Sequence, residues 1–198
     1  MLQLTRCLAL FLAGVAAAGF ALPALAADPA QTIATVATEA VEIVKTKTGA
    51  DRQAAFAAML LTSFDLPYMS QSALGTYWAK ANEEQRTRFL KAAATSEARA
   101  YSERFGQYGG QTVDVGRVVT RPNGIFLVDS KLNQSSGNPP IKIEWELQDR
   151  GAGLRITDVK VEGVSMIMTR RSDFSSFIGR NGSDVEALIK ELESRAGR

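Results

Sequence analysis

Histidine is missing from this sequence of 198 residues, and cysteine occurs once, as Cys7. Without histidine no Ser-His-Asp or Cys-His nucleophile system can form, and zinc sites built from these residues cannot be assembled. Only carboxylate, lysine, tyrosine or serine chemistry is left. Phosphate-cradling loops are missing too: neither GxxxxGK[ST] nor a GxGxxG after a strand occurs, so nucleotide-dependent activity has no support. Neither sign of charge is in excess, with 23 Lys and Arg against 21 Asp and Glu. A nucleic-acid binder concentrates basic residues on one face, so no nucleic-acid partner is expected. There is no internal repeat. These gaps argue against an enzyme and leave no metal or cofactor to assign.

What the chain does have at its start is a long apolar run. Arg6 supplies a positive residue, residues 8–22 are almost wholly apolar, and Pro23 then breaks the run before the small-x-small triplet Ala24-Leu25-Ala26. This predicts a cleaved signal peptide over residues 1–26, with cleavage after Ala27 as the alternative. The competing reading is an uncleaved anchor, since the run approaches the roughly 20 apolar residues that span a bilayer. Cys7 precedes the apolar run, so it is no lipoprotein anchor and leaves with the peptide. Residues 27–198 then form one domain of roughly 170 residues, long enough for a substantial core. Secreted yet free of disulfides, it is held by that core alone.

Helical spacing fills the first half. Asp28 and Pro29 mark an N-cap and first turn, followed by Ile33, Val36, Ala40 and Val44. Asp51 is expected to cap a second helix, and Asp65-Leu66-Pro67 restarts a third that stops at Gly75. Asn82 and Gln85 form a capping box for a long helix with the stripe Leu90, Ala94, Ala98, Tyr101, Phe105 and Tyr108. The period then changes to 2, predicting strands at residues 113–121, 125–132, 141–148 and 154–161. In the third, Ile141, Ile143, Trp145 and Leu147 alternate with Lys142, Glu144, Glu146 and Gln148, so one face is buried and one is wet. Two helices close the chain, the last capped by Ser183 with Glu186 and striped by Val185, Leu188, Ile189 and Leu192. The expected fold class is α+β: helices packed on one face of a curved four-stranded antiparallel sheet, enclosing a hydrophobic pocket.

The segment FDLPYMSQSALGTYW at residues 64–78 resembles the MlaC-type family of periplasmic phospholipid carriers, also called toluene-tolerance auxiliary proteins. NEEQRTRFLKAAATSEARAYSERFGQY at residues 82–108 is similar to that family's long helix, and residues 158–192 are similar to its closing signature. Within the latter, Val161-Glu-Gly-Val-Ser165 followed by Arg171 and Phe174 is the most specific part. The resemblance implies a soluble shuttle that carries phospholipid as cargo and performs no catalysis. Its implied partners are phospholipid, an outer-membrane lipid-extracting lipoprotein complex and an inner-membrane ABC lipid transporter complex. Ile143-Glu-Trp-Glu-Leu147 and Leu154-Arg-Ile-Thr-Asp-Val159 depart from the family's usual aromatic strands, which leaves a hopanoid or another amphiphile open as cargo.

The pocket that the resemblance implies draws its candidate lining from the chain's apolar residues. On the opening helices it takes Phe64, Met69, Leu74 and Trp78, and on the long helix Tyr101 and Phe105. On the strands it takes Val115, Ile143, Trp145 and Leu147, and in the closing segment Val164, Met166, Ile167, Phe174 and Phe177. Read from the residues alone, any one aromatic in this set is better explained as core, because stripes at helical or strand spacing usually just pack. Arg170 and Arg171 are the headgroup candidates, placed to donate two hydrogen bonds to a lipid phosphate. The alternative for Arg170 is a salt bridge to Glu144 or Glu162. Glu144 and Glu146 share one strand face and do not oppose each other as glycosidase carboxylates would.

Overall fold

A computed structural model describes residues 27–105, 110–134, 137–151 and 153–196. The signal peptide expected over residues 1–26 lies outside the described residues. The opening helices are α1 (Pro29–Thr46), α2 (Gly49–Ser63), α3 (Leu66–Leu74), α4 (Thr76–Lys80) and α5 (Glu83–Phe105). Asp28 caps α1 by accepting the Ala30 amide at 2.9 Å. Asp65 caps α3 through the Tyr68 amide at 3.1 Å. The capping box of α5 forms in both directions, Gln85 N–H to Asn82 at 2.8 Å and Asn82 N–H to Gln85 at 3.1 Å. Asp51 does not cap α2: that helix begins at Gly49, and Asp51 sits in its first turn, where a carboxylate still favours the helix N-terminus.

The strands are β1 (Thr112–Arg121), β2 (Ile125–Asn133), β3 (Ile141–Asp149), β4 (Leu154–Val161) and β5 (Val164–Ser165). They form one open antiparallel sheet in the order β1-β2-β3-β4-β5. The sheet therefore has five strands where four were expected, because two residues are too short to show a period-2 pattern. Two helices follow, α6 (Met166–Arg180) and α7 (Val185–Ala196). The cap of α7 falls one residue later than expected. Ser183 has a φ of 60° and its amide is drawn back to the Ile178 carbonyl, so Asp184 accepts the Glu186 amide instead, at 2.9 Å.

Directly opposed residues of an antiparallel pair share a face, so the register sorts the side chains. The inner face carries three rows: Phe126, Leu147 and Ile156; Val128, Trp145 and Val159; and Val115, Ser130, Ile143, Val161 and Val164. The opposite face carries Lys131 beside Lys142, and Asp129 beside Glu144 and Lys160. A first core packs the inner face against Ile33, Val36, Ile43 and Val44 of α1 and Phe56, Met59 and Leu60 of α2. A second core is purely helical, joining Leu74, Phe89, Ile178, Leu188, Ile189 and Leu192. The free side of β4 is covered in two pieces. One half pairs with β5, and the other bridges to Phe64, with the Asp65 amide donating to the Ile156 carbonyl at 2.9 Å.

Candidate functional site

Burial along the inner face is uneven. Leu147, Ile156 and Val128 are fully buried, whereas Val115, Ile143, Trp145 and Val161 are only half-buried, and Val164 is 56% exposed. Apolar side chains thus continue past the point where the helices stop covering them. Leaving such surface against water costs roughly 25 cal/mol per Å², so this unfinished end of the first core is the candidate site.

Around it the structure brings together many of the expected residues. Phe64 and Leu147 are buried in the first core, and Met69, Val115, Ile143, Trp145 and Met166 pack against it from the rim. Ile167 is half-buried at the start of α6, its amide donating to Asp158 at 3.3 Å. Four other expected residues sit elsewhere. Leu74 is buried in the helical core, and Trp78, Phe174 and Phe177 pack against it. The Phe174 ring meets Phe89 edge-on at 5.7 Å between centroids. The side chains of Tyr101 and Phe105 lie outside the described residues.

Both headgroup candidates are engaged within the protein. Arg170 pairs with Glu97 through two contacts, at 2.6 and 3.0 Å, and reaches Asp173 at 3.5 Å. It does not pair with Glu144 or Glu162 as the sequence alternative had it, because Lys160 takes Glu144 at 2.6 Å and Glu162 accepts the Lys142 amide at 2.6 Å. That hydrogen bond from Lys160 to Glu144 raises the lysine pKa above its ordinary value. Arg171 donates from Nε and Nη2 to the Ser72 carbonyl, the first at 2.9 Å, and so closes the end of α3. Gly75 is required beside it: its φ is 59°, and a Cβ there would lie 3.4 Å from the arginine Nε.

Two residues at the site escaped the sequence reading. Ser130 is 4% exposed on the inner face and accepts the Trp145 indole N–H at 2.8 Å. Its signal was present as a polar residue at an apolar position of β2, but a serine alone does not name its partner. Asp158 accepts the Ser165 hydroxyl at 2.6 Å and the Val159 amide at 2.8 Å, fixing the start of α6 to β4. Two open hollows border the apolar site. One, of about 550 Å³, is lined by Phe64, Asp65, Pro67, Asp149, Arg150 and Arg155. The other, of about 770 Å³, sets Val115, Ser130 and Ile143 of the inner-face row beside Asp129, Lys131, Lys142, Glu144 and Lys160. Both are open and charged, unlike the enclosed apolar pocket expected from the sequence.

Comparison with known proteins bears on this arrangement. A solved structure described as the phospholipid-binding protein from Ralstonia solanacearum in complex with a phospholipid superposes with a TM-score of 0.72, covering 86% of this chain and 98% of that one. At 19% sequence identity the likeness establishes the shared fold. The intermembrane phospholipid transport system binding protein MlaC of Haemophilus influenzae is 21% identical over 142 residues. That alignment takes in 70% of this chain and 65% of the relative, so the chain spans just under two thirds of it. The family model described as MlaC protein matches residues 34–194, nearly all of the described domain, and the chain belongs to that family.

Proposed function

We propose that residues 27–198 form a periplasmic phospholipid carrier, released by removal of residues 1–26. It serves as the soluble component of an ABC-type lipid transport system. The observation that carries this reading is the half-covered apolar end of the inner sheet face, in a fold shared with a protein solved with phospholipid bound. Two acyl chains hold roughly 30 methylenes at about 0.8 kcal/mol each, so exposing them to water costs on the order of 20 kcal/mol. Free crossing of an aqueous gap is therefore negligible, and a protein that shelters the chains removes the obstacle without chemical change to the lipid. The affinity has to stay near that of a bilayer, or the cargo would never leave. Release then depends on partners, for which an outer-membrane lipid-extracting complex and an inner-membrane ABC transporter complex are the proposed pair.

Organic extraction of the purified protein followed by mass spectrometry tests the reading and names the cargo, hopanoid included. Co-purifying phospholipid supports it, and a protein that stays empty after exposure to lipid vesicles refutes it. Trp145→Glu localises the site. A charge at this half-buried inner-face position opposes loading by its desolvation cost, while water entering the empty site spares the fold. The expected result is a cooperative circular-dichroism melt with little bound lipid; a folded variant with full cargo would place the lipid away from this face.

A further inference from the structure

The inner-face row Val115, Ser130, Ile143, Val161 and Val164 ends at the surface. Val164 is 56% exposed, and Met168, in the first turn of α6, is 55% exposed. Both belong to a small set, since only Leu61 and Val118 are also recorded as exposed large apolar residues among those described. Folding gains nothing from displaying them, yet the backbone beneath is firmly held. Glu162 and Gly163 both have positive φ, 49° and 80°, the geometry of a two-residue hairpin turn that hands the chain from β4 to β5. Glu162 is locked to β3 by its own amide to the Lys142 carbonyl at 2.9 Å and by its carboxylate to the Lys142 amide at 2.6 Å. Ser165 accepts the Met168 amide at 3.2 Å and donates to Asp158 at 2.6 Å.

Three charged side chains near this track are engaged by other groups. Glu162 is turned onto the Lys142 amide, Lys160 onto Glu144 across the opposite face, and Arg170 onto Glu97. By the register an apolar row therefore runs from the half-buried site through Ile143 and Val161 to Val164, and the exposed Met168 follows four residues later in the first turn of α6. We propose that Val164 and Met168 form the threshold over which an acyl chain passes between the site and the outside. This rests on the carrier reading above and adds a route to it. The occupant is an acyl chain because the strip continues the apolar surface that the cargo would cover, while Glu162, Lys160 and Arg170 beside it are engaged by partners within the protein.

A residue that meets the cargo only in passage changes the rate of exchange and leaves the bound state alone. Met168→Glu isolates that effect, since a glutamate three residues after the Ser165 cap completes a capping box and supports the helix. Met168→Lys, which places the opposite charge at the same position, provides a second variant. The readouts are lipid content at equilibrium, by mass spectrometry, and transfer of a pyrene-labelled phosphatidylethanolamine between the protein and phosphatidylcholine vesicles with no other protein present. We expect full cargo in both variants and transfer slowed about tenfold, the effect of withdrawing hydrocarbon contact from roughly two methylenes. Leu61→Glu, at a 65% exposed position on α2, should transfer at the wild-type rate. Unchanged transfer in both loaded variants would overturn the threshold while leaving the carrier reading intact. Folded variants that come out empty would also overturn it, by making Met168 part of the resting site. Wild-type protein that takes up no lipid would remove the carrier reading and the threshold with it.

Discussion

Around Phe89 each apolar side chain of the helical core meets a neighbour from another helix, whereas along the sheet's inner face burial runs out before the apolar residues do. The two regions use the same residue types and nearly the same spacing. They differ in closure. α5 and α7 are drawn together outside the helical core by Arg88, which grips Glu193 with two hydrogen bonds of 2.8 Å and Glu186 with a third. At the Val115 to Val164 end of the sheet the ion pairs of Lys160 with Glu144 and Arg117 with Asp129 join strand to strand and draw no helix over the inner face. A core that is sealed and tied contributes stability; a core left open at one side is surface available to a ligand.

The strongest way to break this contrast is Phe89→Ala. The ring is fully buried and packs edge-on against Phe174, so its loss should cost about 3–5 kcal/mol in a denaturant titration. Lipid content of the folded fraction should stay normal, and a stable but empty variant would extend the site into the helices. Ser130→Ala probes the other side with a smaller effect. It strips the Trp145 indole of its acceptor and should cost about 1–3 kcal/mol, toward the lower end because Trp145 is half-exposed and water can replace the hydroxyl. Altered Trp fluorescence and cargo content would accompany the shift, whereas an unmoved cargo profile would make the pair purely structural. The smallest effect concerns acid. Hydrogen bonds from Arg88 hold Glu186 and Glu193 below the ordinary carboxylate pKa. Folded values below the unfolded ones mean that the tie contributes fully above about pH 4.3 and is lost as pH falls through the lowered values. Melts of wild type and Arg88→Gln should therefore differ at pH 7 and converge toward pH 3, with added salt shrinking the gap at pH 7.

Much of the fold was legible because local chemistry decided it. Asp28, Asp65 and the Asn82 and Gln85 pair cap helices where their spacing said they would, and the alternation from Ile141 onward gave the face of β3. The Ser183 cap failed because a positive φ is not encoded by the residue's type, and β5 was invisible because two residues carry no period. The candidate site was legible only as an unsorted set. Phe174 and Trp145 look alike as apolar residues in regular spacing, and only the register and helix packing send one to a sealed core and the other to an open face. Arg170 was recognised as needing a partner, but Glu97 lies on a distant helix, and no local pattern links the two.

The covering of β4 by two separate pieces has a kinetic consequence. The α2–α3 elbow that supplies Phe64 is tied to the β3–β4 turn by an Arg150 to Asp65 ion pair of 2.6 Å, between residues 85 apart in sequence. β5, in contrast, arrives from a two-residue turn. The local half of that border can zip at the pace of a hairpin, within about 1–10 μs, while the remote half must wait for the closure of a long chain loop. Until the elbow docks, half of β4 offers unpaired amides and carbonyls to any other extended chain. The newly made polypeptide is thus most prone to association along Leu154 to Ile156, and the Phe64 bridge is the step that ends that exposure.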